Sequence, residues 1–206
     1  METELKNICV YCGSSPGKAD GYRAVAVKLG KLLAERAIGV VYGGASVGLM
    51  GTVARAALSA GGRVVGVIPE AIADQEIALM ELEELHVVKG MHERKALMAE
   101  LSDGFISLPG GFGTLDEMFE MLTWAQLGIH VKPVGLLNIN HYYDHLFAFL
   151  DHAVEEQFIF EPHRQMIQFA EDPETLLEKM VHDHRAVPNK SHWVRNMSAG
   201  SGQSNR

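Results

Sequence analysis

A glycine-rich turn followed by two acidic residues is the part of the sequence best suited to chemistry. It reads Pro109-Gly110-Gly111-Phe112-Gly113-Thr114-Leu115-Asp116-Glu117. Glycine lets the backbone approach a ligand closely, and the first amides of the next helix carry partial positive charge, which suits a phosphate. A carboxylate such as Glu117 stabilises a carbon centre that becomes cationic during a reaction. The alternative is structural, because Thr114 and Glu117 also have the spacing of a capping box.

A basic pair in another segment supplies the opposite charge. In Met91-His92-Glu93-Arg94-Lys95, the last two residues fall in the first turn of a predicted helix. Cations there oppose the helix macrodipole at a cost of about 0.3–1 kcal/mol in helix stability. Residues that are locally unfavourable in this way often lie at functional positions. An arginine fork can bind a phosphate or a purine edge through two hydrogen bonds. The alternative is that Arg94 and Lys95 are solvated surface cations beside Glu93.

Two further glycine-rich turns, Gly13–Gly17 and Gly43–Gly51, also follow predicted strands. In a parallel sheet all three turns lie at the carboxyl edge, where ligands bind. The first turn is one residue short of a P-loop, and the first glycine spacing of the second is two residues too long for a dinucleotide turn. Glu70 lies 19 residues after Gly51, which keeps a nicotinamide-cofactor interpretation open.

The turns must be positioned by short apolar runs that alternate with segments of helical periodicity. Strands are predicted at about 7–12, 39–42, 63–68, 85–88, 104–108 and 134–137, and the last two helices near 142–157 and 173–181. This alternation predicts an α/β fold with a parallel sheet covered by helices on both faces. We expect residues 1–197 to form a single domain and 198–206 to form a disordered tail.

Composition narrows the class of protein. The chain has 206 residues, 47% of them hydrophobic, and a net charge of −8, which excludes a collagen-like or disordered protein and gives no basic footprint for nucleic acid. No apolar run reaches the length of a membrane span. Two cysteines and a polar start predict a cytoplasmic protein. We interpret the pairs His141/His145 and His182/His184 as surface or core residues, and expect no metal.

The motifs resemble those of the LONELY GUY (LOG) family. Pro109–Glu117 matches its Pro-Gly-Gly-x-Gly-Thr-x-x-Glu signature, and Met91–Lys95 is similar to its second motif. The turns at Cys12–Ser15 and Gly43–Gly51, and the segment Thr123–Gly128, are also similar to family segments. The resemblance extends from about residue 8 to residue 156.

This resemblance implies a Rossmann-like, doubly wound fold and a phosphoribohydrolase that needs no cofactor. Such enzymes split cytokinin riboside 5′-monophosphates, and in bacterial-looking members AMP, into free base and ribose 5-phosphate. The family also implies a homodimer. Arg94 and Glu117 match its catalytic pair. The positions expected to contact the substrate are Ser14, Gly43, Gly44, Glu76, Lys95, Gly111, Phe112, Gly113, Thr114 and Thr123.

Other functions remain open on the sequence. A non-catalytic nucleotide- or cofactor-binding protein of the same fold, such as a sensor or a molybdenum-cofactor carrier, would use the same turns without needing Glu117. The family's older label, lysine decarboxylase, finds no support, because a pyridoxal enzyme needs a Schiff-base lysine with an acid partner for the ring nitrogen. The preferred base is also undetermined.

Overall fold

Seven parallel strands form one sheet in a computed structural model that describes residues 4–73, 79 and 81–182. The strands are β1 Asn7–Tyr11, β2 Gly39–Tyr42, β3 Val64–Pro69, β4 Glu84–Val88, β5 Gly104–Ser107, β6 Val134–Leu137 and β7 Ile167–Ala170. The helices are α1 Asp20–Glu35, α2 Gly48–Ser59, α3 Glu70–Ala73, α4 Met91–Glu100, α5 Phe112–Gln126, α6 Asp144–Glu155, α7 Glu161–Arg164 and α8 Pro173–Val181. Among these described helices, none is long and apolar enough to cross a membrane.

The central strands are apolar because helices cover both faces of the sheet. In β1, Ile8 and Val10 point into a core shared with α1, α2 and α8, whereas Cys9 and Tyr11 point into a core shared with α4, α5 and α6. Side chains that alternate in this way, with both sets buried, require the continuous apolar runs seen in the sequence. The buried thiols of Cys9 and Cys12 are free, and burial raises the pKa of each.

The strand order, β4-β3-β2-β1-β5-β6-β7, reverses direction once. From β1 the chain adds strands outward to β4, then returns to place β5 on the other side of β1, where Cys9 pairs with both Val41 and Phe105. The turns after β1 and β5 therefore diverge to opposite sides and leave a crevice between them. This order confirms the doubly wound parallel sheet.

The structure differs from the sequence prediction in a seventh strand and in the start of α6. The seventh strand, Ile167–Ala170, was not expected, because four residues containing a glutamine give little strand signal; it forms by pairing with β6 at the edge of the sheet. The helix expected from residue 142 begins at Asp144, after a 3-10 turn at Ile139–His141 in which Asn140 and His141 have φ of 52° and 59°. The tail boundary expected at residue 198 lies outside the described residues.

Candidate active site

A cavity of about 320 Å³ opens where the sheet reverses direction. The turns after β1 and β5 form most of its wall, together with residues of α1, α2 and the segment before α6. Its lining residues are Gly13, Ser14, Ser15, Gly17, Tyr22, Leu49, Pro109, Gly110, Gly111 and Tyr142. Open α/β sheets bind their ligands in this crevice.

Backbone hydrogen bonds join the three glycine-rich turns at this edge. The amide of Gly13 donates to the carbonyl of Pro109 at 3.1 Å, and the amide of Leu49 donates to the carbonyl of Gly13 at 3.0 Å. Gly48 has a φ of 59°, and a Cβ there would collide with the backbone of Ser14. This glycine is therefore required by a close approach of two chain segments, and the three turns meet as the sequence predicts.

The N-terminus of α5 presents backbone amides beside the cavity. The helix begins at Phe112, and its N-cap is Gly111, which has no side chain to cap the first N–H groups. Those groups lack partners within the helix and carry its positive dipole end, so an anion is the natural ligand for them. The capping-box interpretation is wrong, because Thr114 lies inside the helix and the carboxylate of Glu117 binds another side chain.

Arg94 and Glu117 form a buried ion pair between α4 and α5. Nη1 of Arg94 donates to Oε1 of Glu117 at 2.8 Å, and the two side chains are 8% and 9% exposed. Nε of Arg94 also donates to the carbonyl of Val67 at 3.0 Å. A Cβ at Gly43 would collide with Nη2 of Arg94, so the guanidinium lies against the turn after β2. The pair is thus fixed at the carboxyl edge of the sheet.

Burial raises the pKa of Glu117 from its ordinary value of 4.5 to about 7. The nearby positive charge of Arg94 opposes this shift, the negative charge of Asp116 adds to it, and Lys95 opposes it. Desolvation disfavours the carboxylate more than the two cations restore it. A carboxyl group whose pKa is raised towards neutrality is suited to proton transfer in catalysis.

Lys95 lies next to this pair, and two carboxylates balance its charge. Its Nζ lies 3.1 Å from both Asp116 and Glu120, and its side chain is 9% exposed. Burial alone would lower the pKa of Lys95, but hydrogen bonds and charge attraction from the two carboxylates hold it above its ordinary value. The alternative that Arg94 and Lys95 are solvated surface cations is therefore wrong.

The other predicted contact residues occupy different surroundings. Ser14 and Gly111 line the cavity, Gly43 follows β2 beside Arg94, and Gly44 lies next to Ile68 and Leu85. Phe112 is 94% exposed at the start of α5. The hydroxyl of Thr123 donates to the carbonyl of Phe119 in its own helix, 2.7 Å away, at an exposed position. Of the remaining positions, Thr114 is buried, Gly113 is exposed, and Glu76 lies outside the described residues.

Sequence reasoning missed the tyrosines of the cavity wall. Tyr22 and Tyr142 line it, although neither lies in a motif that indicates chemistry. The histidine pairs of the C-terminal half fit the interpretation as surface residues. His141 is exposed and pairs with Asp144, and His145 and His182 are exposed, while His184 lies outside the described residues. In residues 4–73, 79 and 81–182 there is no group of three or more His, Cys, Asp or Glu side chains arranged for a metal ion.

Comparison with known proteins identifies the family. Residues 50–180 match a family model described as possible lysine decarboxylase. The chain is 49% identical to a probable cytokinin riboside 5′-monophosphate phosphoribohydrolase of Oryza sativa subsp. japonica, LOGL5, over 97% of this chain and 84% of that protein. The chain belongs to the LONELY GUY family. A second relative in the family, the cytokinin riboside 5′-monophosphate phosphoribohydrolase LOG1 of Arabidopsis thaliana, is 47% identical over 94% of this chain and 92% of its own length.

Solved structures of two molybdenum cofactor proteins share the fold of this chain. The molybdenum cofactor binding protein of Rippkaea orientalis superposes with a TM-score of 0.64 at 24% identity, covering 85% of this chain and 94% of the other. The molybdenum cofactor carrier protein of Chlamydomonas reinhardtii gives a TM-score of 0.63 at 23% identity, covering 85% and 100%. At this level of identity the likeness shows a common fold and nothing about the ligand.

Proposed function

We propose that this LONELY GUY protein hydrolyses the N-glycosidic bond of purine riboside 5′-monophosphates, both cytokinin nucleotides and AMP, to free base and ribose 5-phosphate. The observation that carries the proposal is the buried Arg94–Glu117 pair, which lies at the same sheet edge as the amides that begin α5. The names of the relatives, which are phosphoribohydrolases, support it.

The distance between the two parts of the site suits this substrate. Glu117 follows the first residue of α5 by five positions, which is about 7.5 Å along a helix axis. That is roughly the length of a ribose 5-phosphate. A phosphate on the amides of Gly111 and Phe112 would therefore bring the anomeric carbon, C1′, towards the carboxylate of Glu117. Because the protein carries a net charge of −8, such local amides must supply the attraction for an anionic substrate.

The reaction needs a negative group near C1′ and an acceptor for a proton. As the bond from C1′ to the base nitrogen breaks, its electron pair leaves with the base, and positive charge builds on the sugar. The carboxylate of Glu117 stabilises that charge and accepts a proton from the water whose oxygen bonds to C1′. The proton that Glu117 accepts balances the one that the departing base takes up, so the net reaction adds one water and yields the free base and ribose 5-phosphate.

Arg94 has three functions in this scheme. Its charge opposes the rise in the pKa of Glu117 and so favours the carboxylate. Its bond to the carbonyl of Val67 fixes the guanidinium, which then holds Glu117 in one orientation. A fixed cation at this point also offsets negative charge that develops on the departing base.

Exposed apolar side chains at the two ends of α5 support a homodimer. Phe112 and Val131 are 94% and 97% exposed, and Leu127 and Ile129 are also exposed. Leu127, Ile129 and Val131 follow one another just beyond the end of α5, and exposed apolar side chains close together are typical of an interaction site. We propose that a second copy of the chain covers them, which would also bring Thr123 and the mouth of the site close to the interface. The buried free thiols fit a cytoplasmic location.

The decisive experiment supplies purine nucleoside 5′-monophosphates and the matching unphosphorylated nucleosides. We expect chromatography to detect free base and ribose 5-phosphate from AMP and from the isopentenylated nucleotide, and little base from the nucleosides. Binding of AMP without release of adenine would contradict the proposal and support a non-catalytic nucleotide-binding protein. Equal cleavage of nucleosides and monophosphates would contradict the phosphate-binding part.

A further inference from the structure

Two adjacent tyrosines bind the backbone on both sides of Pro109. The hydroxyl of Tyr142 donates to the carbonyl of Gly110, and the hydroxyl of Tyr143 donates to the carbonyl of Leu108, each at 2.6 Å. These carbonyls flank the residue at which the chain leaves β5 for the glycine turn. The two side chains therefore hold the turn from outside its own segment.

The segment before α6 is built so that both hydroxyls reach the turn. Oδ1 of Asn138 accepts a 2.7 Å hydrogen bond from the amide of Tyr143, and Nδ2 of Asn138 donates to Asp144 at 2.7 Å. Asn140 and His141 have positive φ, a conformation that costs energy in residues other than glycine and is often found at functional sites. This strained turn presents two consecutive tyrosines to the same strand end.

Ring contacts fix the tyrosines further. The ring of Tyr142 meets those of Tyr22 and Tyr143 edge to face, with centroids 6.0 and 4.9 Å apart. Tyr143 is 1% exposed, and burial raises the pKa of its hydroxyl, so it stays protonated as a donor. Tyr142 is 43% exposed and lines the cavity beside Gly110 and Gly111.

The glycine turn needs such a restraint. Gly110 and Gly111 can adopt many backbone conformations, and the direction of the amides that follow depends on which one the turn takes. On the helix side, the amide of Leu115 donates to the carbonyl of Gly111. On the strand side, the tyrosine hydroxyls hold the two carbonyls before it. With both sides fixed, the amides at the start of α5 keep a single orientation towards the cavity.

We propose that Tyr142 and Tyr143 are positioning residues for phosphate binding: by holding the carbonyls of Gly110 and Leu108, they orient the amides at the start of α5 towards the substrate phosphate. This inference rests on the proposed function, because it assigns the phosphate to those amides. It predicts that losing a hydroxyl weakens the binding of phosphorylated ligands and leaves the chemical step nearly unchanged.

The first test replaces Tyr142 by phenylalanine, which keeps the ring contacts and removes the hydroxyl. For Y142F we expect the KM for AMP and the inhibition constant of ribose 5-phosphate to rise about three- to ten-fold, the effect of one lost hydrogen bond. We expect kcat to change less than about two-fold, because Glu117 and Arg94 are untouched. Inhibition by adenine, which has no phosphate, should be unchanged.

The second test is Y143F, which leaves the buried carbonyl of Leu108 without this donor. We expect the same rise in KM, together with a Tm lower by about 2–6 °C. The matched control is Y42F, since the buried hydroxyl of Tyr42 has no hydrogen-bond partner among the described residues. Y42F should keep the wild-type KM and the wild-type inhibition by ribose 5-phosphate.

The results separate this inference from the proposed function. An unchanged KM and ribose 5-phosphate inhibition in Y142F, or an equal weakening of adenine and ribose 5-phosphate, would overturn the positioning role. If the wild-type protein releases no base, the proposed function fails, and calorimetric titration with inorganic phosphate then tests the tyrosines alone. Weaker phosphate binding by Y142F than by wild type would support the inference, and equal binding would overturn it.

Discussion

Nη1 of Arg94 donates a 2.8 Å hydrogen bond to Oε1 of Glu117, across the contact between α4 and α5. Both side chains are buried. Burying an ion pair removes two charges from water, and the attraction gained often does no more than offset that cost. Stability alone therefore does not explain the pair, whereas the proposed reaction, which needs a fixed carboxylate, would.

Replacing Glu117 by glutamine should abolish turnover. The amide oxygen of glutamine can still accept the hydrogen bond from Arg94, so we expect the fold and AMP binding to persist. Because the substitution removes both the general base and its negative charge, we expect kcat to fall by about 10²–10⁴-fold. Single-turnover release of adenine measures this loss, and calorimetry with AMP measures binding.

Glu120 provides the matched control for Glu117. It lies one turn later on α5 and contacts Lys95, which keeps Asp116 as a second partner. E120Q removes the same charge from the same helix and should retain most of the activity. Wild-type turnover in E117Q would refute the catalytic role of Glu117. An equal loss of turnover in E117Q and E120Q would show that the activity depends on the total negative charge of α5 and not on Glu117 itself.

Replacing Arg94 by alanine should weaken both binding and rate. It leaves the buried carboxylate of Glu117 without its main cation, at a cost of about 3–5 kcal/mol in the free energy of unfolding. We expect kcat/KM for AMP to fall at least about 10²-fold, since a fixed cation at the reacting groups is lost. Steady-state kinetics and thermal unfolding measure the two effects separately.

An arginine–glutamate pair at the opposite edge of the sheet serves as the control for Arg94. Arg63 precedes β3 and lies 2.6 Å from Glu84, the first residue of β4; Arg63 is exposed and Glu84 is partly exposed. A solvent-accessible pair of this kind contributes about 0–1 kcal/mol. R63A should therefore keep wild-type kinetics, and an unchanged kcat/KM in R94A would exclude Arg94 from the site.

The activity should depend on pH with a midpoint near 7. In the proposed mechanism the carboxylate of Glu117 is the active form, and burial raises its pKa to about 7. As the pH falls below that value the carboxylate is protonated, so kcat/KM should drop about ten-fold per pH unit, and above it the profile should be flat. A midpoint near the ordinary glutamate value of 4.5 would contradict this assignment.

The substrate phosphate also titrates, at about pH 6, so a variant is needed to assign the midpoint to Glu117. The negative charge of Asp116 raises the pKa of Glu117, and Asp116 is well exposed. D116N should therefore move the midpoint to lower pH without changing the titration of the substrate. A midpoint that stays in place would assign it to the phosphate.

Gly43 should tolerate no side chain in an active enzyme. A Cβ there would collide with Nη2 of Arg94, whose guanidinium is already held by Val67 and Glu117. Displacing that group by even about 1 Å can cost about 10²-fold in rate, so we expect G43A to lose about 10–100-fold in kcat/KM. At Gly90 a Cβ would meet no atom of the described residues within 4 Å, so G90A should behave as wild type.

Some features of the fold and site were predictable from sequence because they are local. The alternation of apolar runs and helical periods predicts a parallel sheet, and six of its seven strands follow from it. The seventh, Ile167–Ala170, carries little local signal and forms because β6 offers a free edge to pair with. Likewise, the spacing of Thr114 and Glu117 is compatible with a capping box, and the start of α5 at Phe112 excludes it.

The sequence by itself determined the class of sheet, the three glycine turns and the two charged motifs, because each depends only on residues that are neighbours in the chain. The tertiary structure alone decided that Arg94 reaches Glu117 and that carboxylates balance the charge of Lys95. It also decided that Tyr142 and Tyr143 hold the turn at Pro109. These contacts join segments that are far apart in the chain. Their partners are selected by packing and by the order of strands, which no local pattern of residues encodes.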